Sequence, residues 1–429
     1  MENYSIVMLI LGVMMALSAF ADKLKKPYPV LLVTAGIALG FVPGMPQITI
    51  SPEIVFLIFL PPMLYDAACN ISMQEFKNNG KTINTLAFTV VFITTGGIAL
   101  LAHYLMGMPW PLAFVLGAVL SATDAVAATG ITRGLGLNHK TLTILEGESL
   151  INDASGLIAY RFAVAAVAGS SFIWYKAGGQ FILLLAGGAL IGGLAGKLLQ
   201  FILHHTRQNG IVAISFTLLF PFVTYSLAED LHVSGVIAVV VLGIFTARLT
   251  SMYFPASTKA QSKAFWDIIV FILNGLVFIL IGLEFPYVIH NVKSIQILPL
   301  IGYSFLIVFV TIAIRVVRIF LESRRHYLTF RKTGTDKHKK ALLDWKTCLI
   351  LGWSGMRGIV SLATALALPE KLDSGEPFPQ RDTIIFIAVM VVVISLVFQG
   401  LTLPLLVRWL KGKPDGHKQQ APAGTHPIH

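Results

Sequence analysis

Residues 146–156 read EGESLINDASG, with three carboxylates and an asparagine in eight positions, and after Leu157 the run IAYRFAVAAVA follows. On a helix, Ser149, Asn152, Asp153 and Gly156 fall at i, i+3, i+4 and i+7 and so share one face. Glu148 lies on a neighbouring face with Asn152 as its i+4 partner. The stripe offers hydroxyl, amide and carboxylate oxygens, the hard ligands that Na⁺, Li⁺ or a proton would use. For Ser149 or Asn152 taken singly, a polar seam bonding helix to helix is the plainer reading; Asp153 among those neighbours points to a binding site.

Three further stretches carry charge into apolar surroundings. In LSATDAVAATG (120–130), Asp124 interrupts an apolar run, and Ser121 and Thr123 favour local backbone bonding over regular helix. The segment is expected to be a broken helix. In LGWSGMRGIVSLATALALP (351–369), glycines at 352, 355 and 358 surround Arg357 and predict a second interruption. In FLPPMLYDAACN (59–70), Pro61 and Pro62 precede Asp66 and predict a kink. Asp66 could face the same cavity or snorkel toward the inner surface. Arg161, Arg315 and Arg318 also lie in apolar context; for Arg161 and Arg318 the plainer role is a counter-charge to helix ends or lipid. A charge near a bilayer centre costs about 2.5–3.5 kcal/mol, so each of these residues needs a reason.

The elements that must position them follow from composition. The chain has 429 residues, 55% hydrophobic and 12% charged, with a mean hydropathy of +0.77. Charge is too scarce to coat a soluble globule of this size, so the fold class is an all-α polytopic membrane protein. Thirteen apolar runs are long enough to span: 4–21, 28–43, 53–70, 83–104, 110–131, 141–168, 178–203, 211–228, 233–249, 264–284, 296–320, 347–369 and 383–409. The first reads as a retained helix rather than a signal peptide. With the N-terminus outside and the C-terminus cytoplasmic, alternate inward loops collect most of the 32 Lys and Arg residues, and only Lys176, Lys293, Lys371 and Arg381 fall on outward loops. That distribution predicts a multi-pass protein of the cell's inner (plasma) membrane. It makes the net charge of +11 a matter of topology rather than a nucleic-acid footprint. Anionic lipid is the expected partner of the basic 321–346 stretch. Residues 411–429 are expected to be a short disordered cytoplasmic tail. Cys69 and Cys348 both fall in apolar segments and suggest no disulfide.

Six runs precede the seventh and six follow it, and the two interrupted spans are the fifth member of each set. Paired broken spans in matching positions of two inverted halves point to a secondary transporter with its site near the midplane.

Together these residues resemble the monovalent cation/proton antiporters of the NhaP and NHE type. The resemblance covers essentially the whole chain and is carried by FLPPMLYDAA, SATDAVA, EGESLINDASG, NGLVFILIGLE (274–284) and GMRGIVSLATALALP (355–369), in the family's order. It implies thirteen transmembrane helices in two inverted six-helix repeats, with discontinuous helices five and twelve crossing where both are unwound. It also implies one transporter unit over 1–410: a core domain including 83–168 and 296–409, and a dimerisation domain from the remaining helices that makes a homodimer. By matching motifs, Asp153 is similar to the carboxylate that alternately holds cation and proton. Asp124, Thr123 through its backbone, and Ser149 complete the cation shell. Asp66 stands where some members have Glu, so its shorter reach implies indirect or water-mediated ligation. Asn152 stands where the electrogenic branch has a second Asp. Glu148 is implied to pair with Arg357, and Arg315 matches an arginine of the eleventh helix.

The expected function is exchange of Na⁺, or else Li⁺ or K⁺, for H⁺ by alternating access, 1:1 and electroneutral because Asn152 supplies no second titrating carboxylate. A cation channel is the alternative, and it lacks a repeated filter loop here. An intramembrane aspartyl protease lacks its GxGD motif. Enzyme chemistry and resident cofactors are not expected, since no Walker loop, HExxH or CxxC occurs. Metal enters only as the transported monovalent cation.

Overall fold

A computed structural model describes residues 2–24, 27–42, 53, 55–132, 135, 137–169, 174–206, 209–291, 294–334, 342–372 and 374–411. The expected tail from 412 onward, and much of the basic stretch (335–341), lie outside the described residues. The described chain is helical. In order the helices are α1 (Glu2–Leu24), α2 (Tyr28–Gly40), α3 (Val55–Asn70), α4 (Met73–Met106), α5 (Trp110–Val119), α6 (Ala125–Thr132), α7 (His139–Val167) and α8 (Trp174–Thr206). They continue as α9 (Gly210–Asp230), α10 (Gly235–Tyr253), α11 (Ala256–Asn291), α12 (Ser294–Thr333), α13 (Trp345–Trp353), α14 (Ile359–Leu366) and α15 (Arg381–Leu410).

Helix occupies each of the thirteen apolar runs. Among the described residues, eight helices are long and apolar enough to cross a membrane: α4, α7, α8 from Gly178, α9, α10, α11, α12 and α15. The shortfall against thirteen has two causes. Runs 110–131 and 347–369 are each split into two short helices, and the described apolar parts of α1, α2 and α3 (Met8–Ala21, Tyr28–Gly40 and Val55–Asn70) are shorter than a full span. Several helices outrun their apolar run. The last turns of α12 (HYLTFRKT) are polar, and α4 begins on the polar turn MQEFKNNGKTIN, capped by Ser72, which accepts from the Glu75 N–H at 3.4 Å.

The kink expected at Pro61-Pro62 takes another form. A π-helical turn, Val55–Phe59, runs into the proline pair, which occupies the first turn of the α-helical part of α3, where a missing N–H costs nothing. Further π turns interrupt α4 at Thr85–Val90 and α15 at Ser395–Gln399. Both matter to the site, since Ala87 O accepts from Ser155 Oγ at 2.6 Å and Ser395 contacts Arg357.

One large apolar cluster joins α4, α5, α11, α12, α14 and α15, and a second joins α3, α8, α9 and α10. Helix α15 is the most enclosed: every residue from Ile384 to Ile394 is buried. Outward faces remain apolar, for example Leu183, Leu190, Leu194, Leu198 and Phe201 along α8, a surface that only hydrocarbon covers without cost. Small residues set the closest helix pairs. Gly188 and Gly192 of α8 face the α10 segment Ser234–Ala238, where a Cβ on Gly192 would overlap the Ala238 carbonyl. Gly282 of α11 likewise lies on the Val33 carbonyl of α2.

Gly192→Leu is therefore expected to destabilise the detergent-solubilised protein by about 1–3 kcal/mol, as overpacking does. Gly193→Leu, next to it with nothing within 4 Å of its Cβ position, should leave the melting temperature within the range of about 0.5 kcal/mol seen for neutral substitutions. Thermal unfolding of the two variants side by side measures the difference.

Candidate cation and proton site

The α5 helix ends at Val119 and α6 begins at Ala125, leaving 120–124 outside regular helix; α13 ends at Trp353 and α14 begins at Ile359, leaving 354–358 likewise. The two unwound segments meet. The Asp124 N–H donates to Met356 O at 2.8 Å, and Arg357 Nε donates to Leu120 O at 2.9 Å. Asp124 Oδ1 accepts the Ala127 N–H at 3.2 Å, capping the restarted helix α6. Gly358 sits against the Asp124 carboxylate so closely that any Cβ there would overlap it. Ser395, in the π turn of α15, accepts from the Arg357 N–H at 3.1 Å and fixes the second unwound segment from behind.

Helix α7 lies against the first segment along the predicted polar face. Ser149 Oγ donates to Thr123 O at 2.9 Å, and Asn152 Nδ2 donates to Thr123 Oγ1 at 2.6 Å. Thr123 Oγ1 in turn donates to Glu148 Oε1 at 3.2 Å. The expected Glu148–Asn152 relation is thus mediated by Thr123. Asp153 is 5% exposed, and no group among the described residues donates a hydrogen bond to its carboxylate.

Glu148 departs from expectation in its partner. Its carboxylate is held by both terminal nitrogens of Arg315, a two-pronged pair in which each side chain is 2% exposed. Arg315 Nε also donates to Leu351 O at 2.9 Å, tying α12 to α13. The implied Glu148–Arg357 pair is not formed. Arg357 spends its donors on the Leu120 and Gly355 carbonyls, which the unwound backbone leaves open. Arg161 pairs with Glu229 at 2.6 Å, joining α7 to α9.

A cavity of about 680 Å³ brings the predicted set together: Asp66, Thr123, Asp124, Ser149 and Asp153 all line it, with Gly358 and Ser361. Asn70 Nδ2 donates to Asp66 Oδ1 at 3.0 Å. Asn152, Glu148, Arg315 and Arg357 are outside that lining and act behind it. Sequence reasoning missed the lining residues Asp267 and Asn274 on α11, and gave Glu146 no role of its own. Their spacing of seven on one helix was the available signal. It also missed Ser395 and Gln399, which serve the second break through Arg357 and Trp353 O.

The family described as "Sodium/hydrogen exchanger, transmembrane" matches residues 7–409. The chain belongs to the sodium/hydrogen exchanger family. Its activity is therefore cation/proton antiport across a membrane. This exchanger is 33% identical over 387 residues to an uncharacterised Na⁺/H⁺ exchanger of Mycobacterium tuberculosis, covering 90% of this chain and 71% of that one. It is 32% identical over 413 residues to the sodium, potassium, lithium and rubidium/H⁺ antiporter of Bacillus pumilus, covering 92% of this chain but only 60% of that protein. The solved structure of the sodium proton antiporter MjNhaP1 from Methanocaldococcus jannaschii at pH 8 superposes with a TM-score of 0.73 at 21% identity, over 95% of this chain and 98% of that one.

Removing one partner of a buried ion pair strands the other charge, at about 3–5 kcal/mol. Arg315→Ala should thus destabilise the exchanger strongly, and Glu148→Gln in that background should return part of the loss. In Arg357→Ala, where carbonyl bonds rather than a carboxylate are lost, Glu148→Gln should restore nothing. Thermal unfolding of the four variants in detergent checks the assignment.

Proposed function

We propose that this chain exchanges one monovalent cation for one proton at Asp153, with Asp124, Ser149 and the Thr123 backbone as the remaining cation ligands. The observation that carries the reading is the Asp153 carboxylate at the edge of the cavity, which accepts no hydrogen bond among the described residues, beside Glu148 and Thr123, which are engaged with Arg315 and Asn152. Two species can neutralise it, and they exclude each other.

The charge balance supports a 1:1 exchange. Around the crossing of the two breaks stand Glu148, Asp124 and Asp153 on one side and Arg315 and Arg357 on the other, with Asn152 neutral. The set carries one net negative charge when Asp153 is ionised. A single proton or a single Na⁺ removes it, and both loaded forms then present the same charge to the membrane. The empty, ionised form is the costly one to move. Obligatory exchange follows when only loaded forms interconvert. The Bacillus pumilus relative, named for four alkali cations, supports a cation range including Li⁺ and K⁺ beside Na⁺. Asp66, at the cavity wall with an Asn70 partner, acts on the cation through water.

The same reading takes thirteen crossings in two inverted six-helix sets, a core domain including 83–168 and 296–409, a homodimer formed through the remaining helices, and an outside N-terminus in the plasma membrane. With that topology the cavity opens inward: Asp66, Asn70, Thr132, Glu146 and Asp267 all lie in the halves of their helices nearest the loops that the basic residues assign to the cytoplasm. The opposite end is closed between α7 and α9 by Arg161–Glu229. Alternating access then requires that pair to part.

Cation-induced proton movement in proteoliposomes tests the site. Lowering the pH on the cation side should raise the apparent KM for Na⁺ without lowering the maximal rate, the signature of competition at one group. Asp153→Asn should abolish exchange in protein that still folds. Na⁺ flux that follows an imposed membrane potential would reject the 1:1 stoichiometry. For access, the double variant Arg161→Cys/Glu229→Cys should lose exchange when the two thiols are bridged by a cleavable bifunctional reagent and regain it on cleavage; full exchange in the bridged protein would exclude outer opening at this place.

A further inference from the structure

One wall of the cavity has no part in the exchange scheme, and the inference drawn from it rests on that scheme. Helix α11 lines the cavity with Asp267, Val270, Phe271 and Asn274. The spacing i, i+3, i+4 and i+7 is a single face, so Asn274 is directed at the cavity about 10 Å along the helix from Asp267. Asp267 is exposed at the mouth, where Asp66 and Glu146 also stand. Asn274 is 4% exposed, and its Oδ1 has no hydrogen-bond partner; a half-turn of the amide, which exchanges Oδ1 and Nδ2, presents the oxygen to the cavity. A second wall repeats the pattern. Ser361 of α14, three residues beyond the glycine that packs on Asp124, is 1% exposed, and its Oγ is also without a partner.

A buried amide or hydroxyl oxygen that lacks a donor costs free energy, and folded proteins keep few of them. Two occur here on separate helices lining one cavity. Neither is charged, so neither holds a proton in competition with Asp153. An uncharged oxygen can still replace water around a cation, and the smallest ion, which approaches an amide or hydroxyl oxygen most closely, interacts with it most strongly.

We propose that Asn274 Oδ1 and Ser361 Oγ form a selectivity station, a pair of neutral oxygens that take over part of the cation's hydration between the mouth and Asp153. Carboxylates at the mouth gather cations of any kind. The neutral pair sorts them, favouring Li⁺ over Na⁺ relative to a cavity without it. Because the two oxygens bind cargo and do no proton chemistry, their loss acts on cation affinity.

The test uses the full chain in proteoliposomes, with proton movement driven by LiCl or NaCl. Asn274→Leu removes the oxygen at similar volume, Asn274→Gln keeps a neutral amide oxygen, and Ser361→Ala removes the hydroxyl alone. Asn274→Leu is expected to raise the apparent KM for Li⁺ about tenfold and for Na⁺ about threefold, as loss of one buried polar contact does, with the maximal rate held within about twofold. Asn274→Gln should bring the Li⁺ value back toward that of the native chain. Ser361→Ala should raise the Li⁺ value more than the Na⁺ value, and it decides the matter if the leucine variant does not fold. A fall in maximal rate with an unchanged Li⁺/Na⁺ KM ratio would mean a packing role and overturn the proposal. Variants that exchange with native KM values would overturn it too, while leaving antiport at Asp153 intact. Only a native protein without cation-driven proton movement would defeat both.

Discussion

Backbone polar groups released at membrane depth have no water to turn to, so two interrupted helices at that depth must satisfy one another. The rest of the site depends on that constraint. The Asp124 N–H reaches Met356 O, and Arg357 reaches back to Leu120 O, so each break supplies what the other lacks. The crossing is tight enough that position 358 admits only glycine beside the Asp124 carboxylate. A third helix braces it, because the π turn of α15 turns Ser395 to the Arg357 backbone. Neither broken span would be stable at this depth without its partner.

Around the crossing, the Asp153 carboxylate differs from the groups that hold the breaks together. Glu148, Thr123 and Asn152 form a chain of hydrogen bonds closed at one end by Arg315, with Asn152 Oδ1 left without a partner at the other. The chain is held in place, since each member loses a buried partner if any other turns away. Asp153 stands beside it on the same helix with its carboxylate unengaged. A stiff, neutralised frame and a single free anion make a site whose charge changes only through what it binds.

Much of this was legible in the sequence because charge is expensive in hydrocarbon. Asp124, Ser149 and Asp153 stood out as oxygens where apolar residues should be, and the cavity collects all three. Both breaks were legible from Asp124 and from the glycines around Arg357. The identity of the Glu148 partner was not. Arg315 and Arg357 are both arginines at membrane depth, and the choice depends on which unwound carbonyls lie within reach of which guanidinium, a matter of interhelix geometry. Asn274 was hidden for a different reason: one amide in an apolar helix reads as an ordinary helix-to-helix bond, and only the absence of a partner distinguishes it. Asp267, four residues after Lys263, reads as an interfacial ion pair until the cavity places it at the mouth.

The closed end of the molecule imposes a last condition. An exchanger that turns over must open there without a large cost, yet stay shut while the other end is open. Apolar packing across that end would serve the second need and defeat the first. Arg161 and Glu229 are 45% and 31% exposed in their side chains, and an ion pair so placed is worth about 0–1 kcal/mol because water replaces each partner readily. Its geometry is specific, while its strength is slight. On the proposed scheme, a small difference between the two faces would leave the direction of motion to the occupant of Asp153, since a ligand shifts an equilibrium only by its differential affinity for the two states. On that scheme the weakness of the Arg161–Glu229 contact would let a single proton or cation govern which face is open.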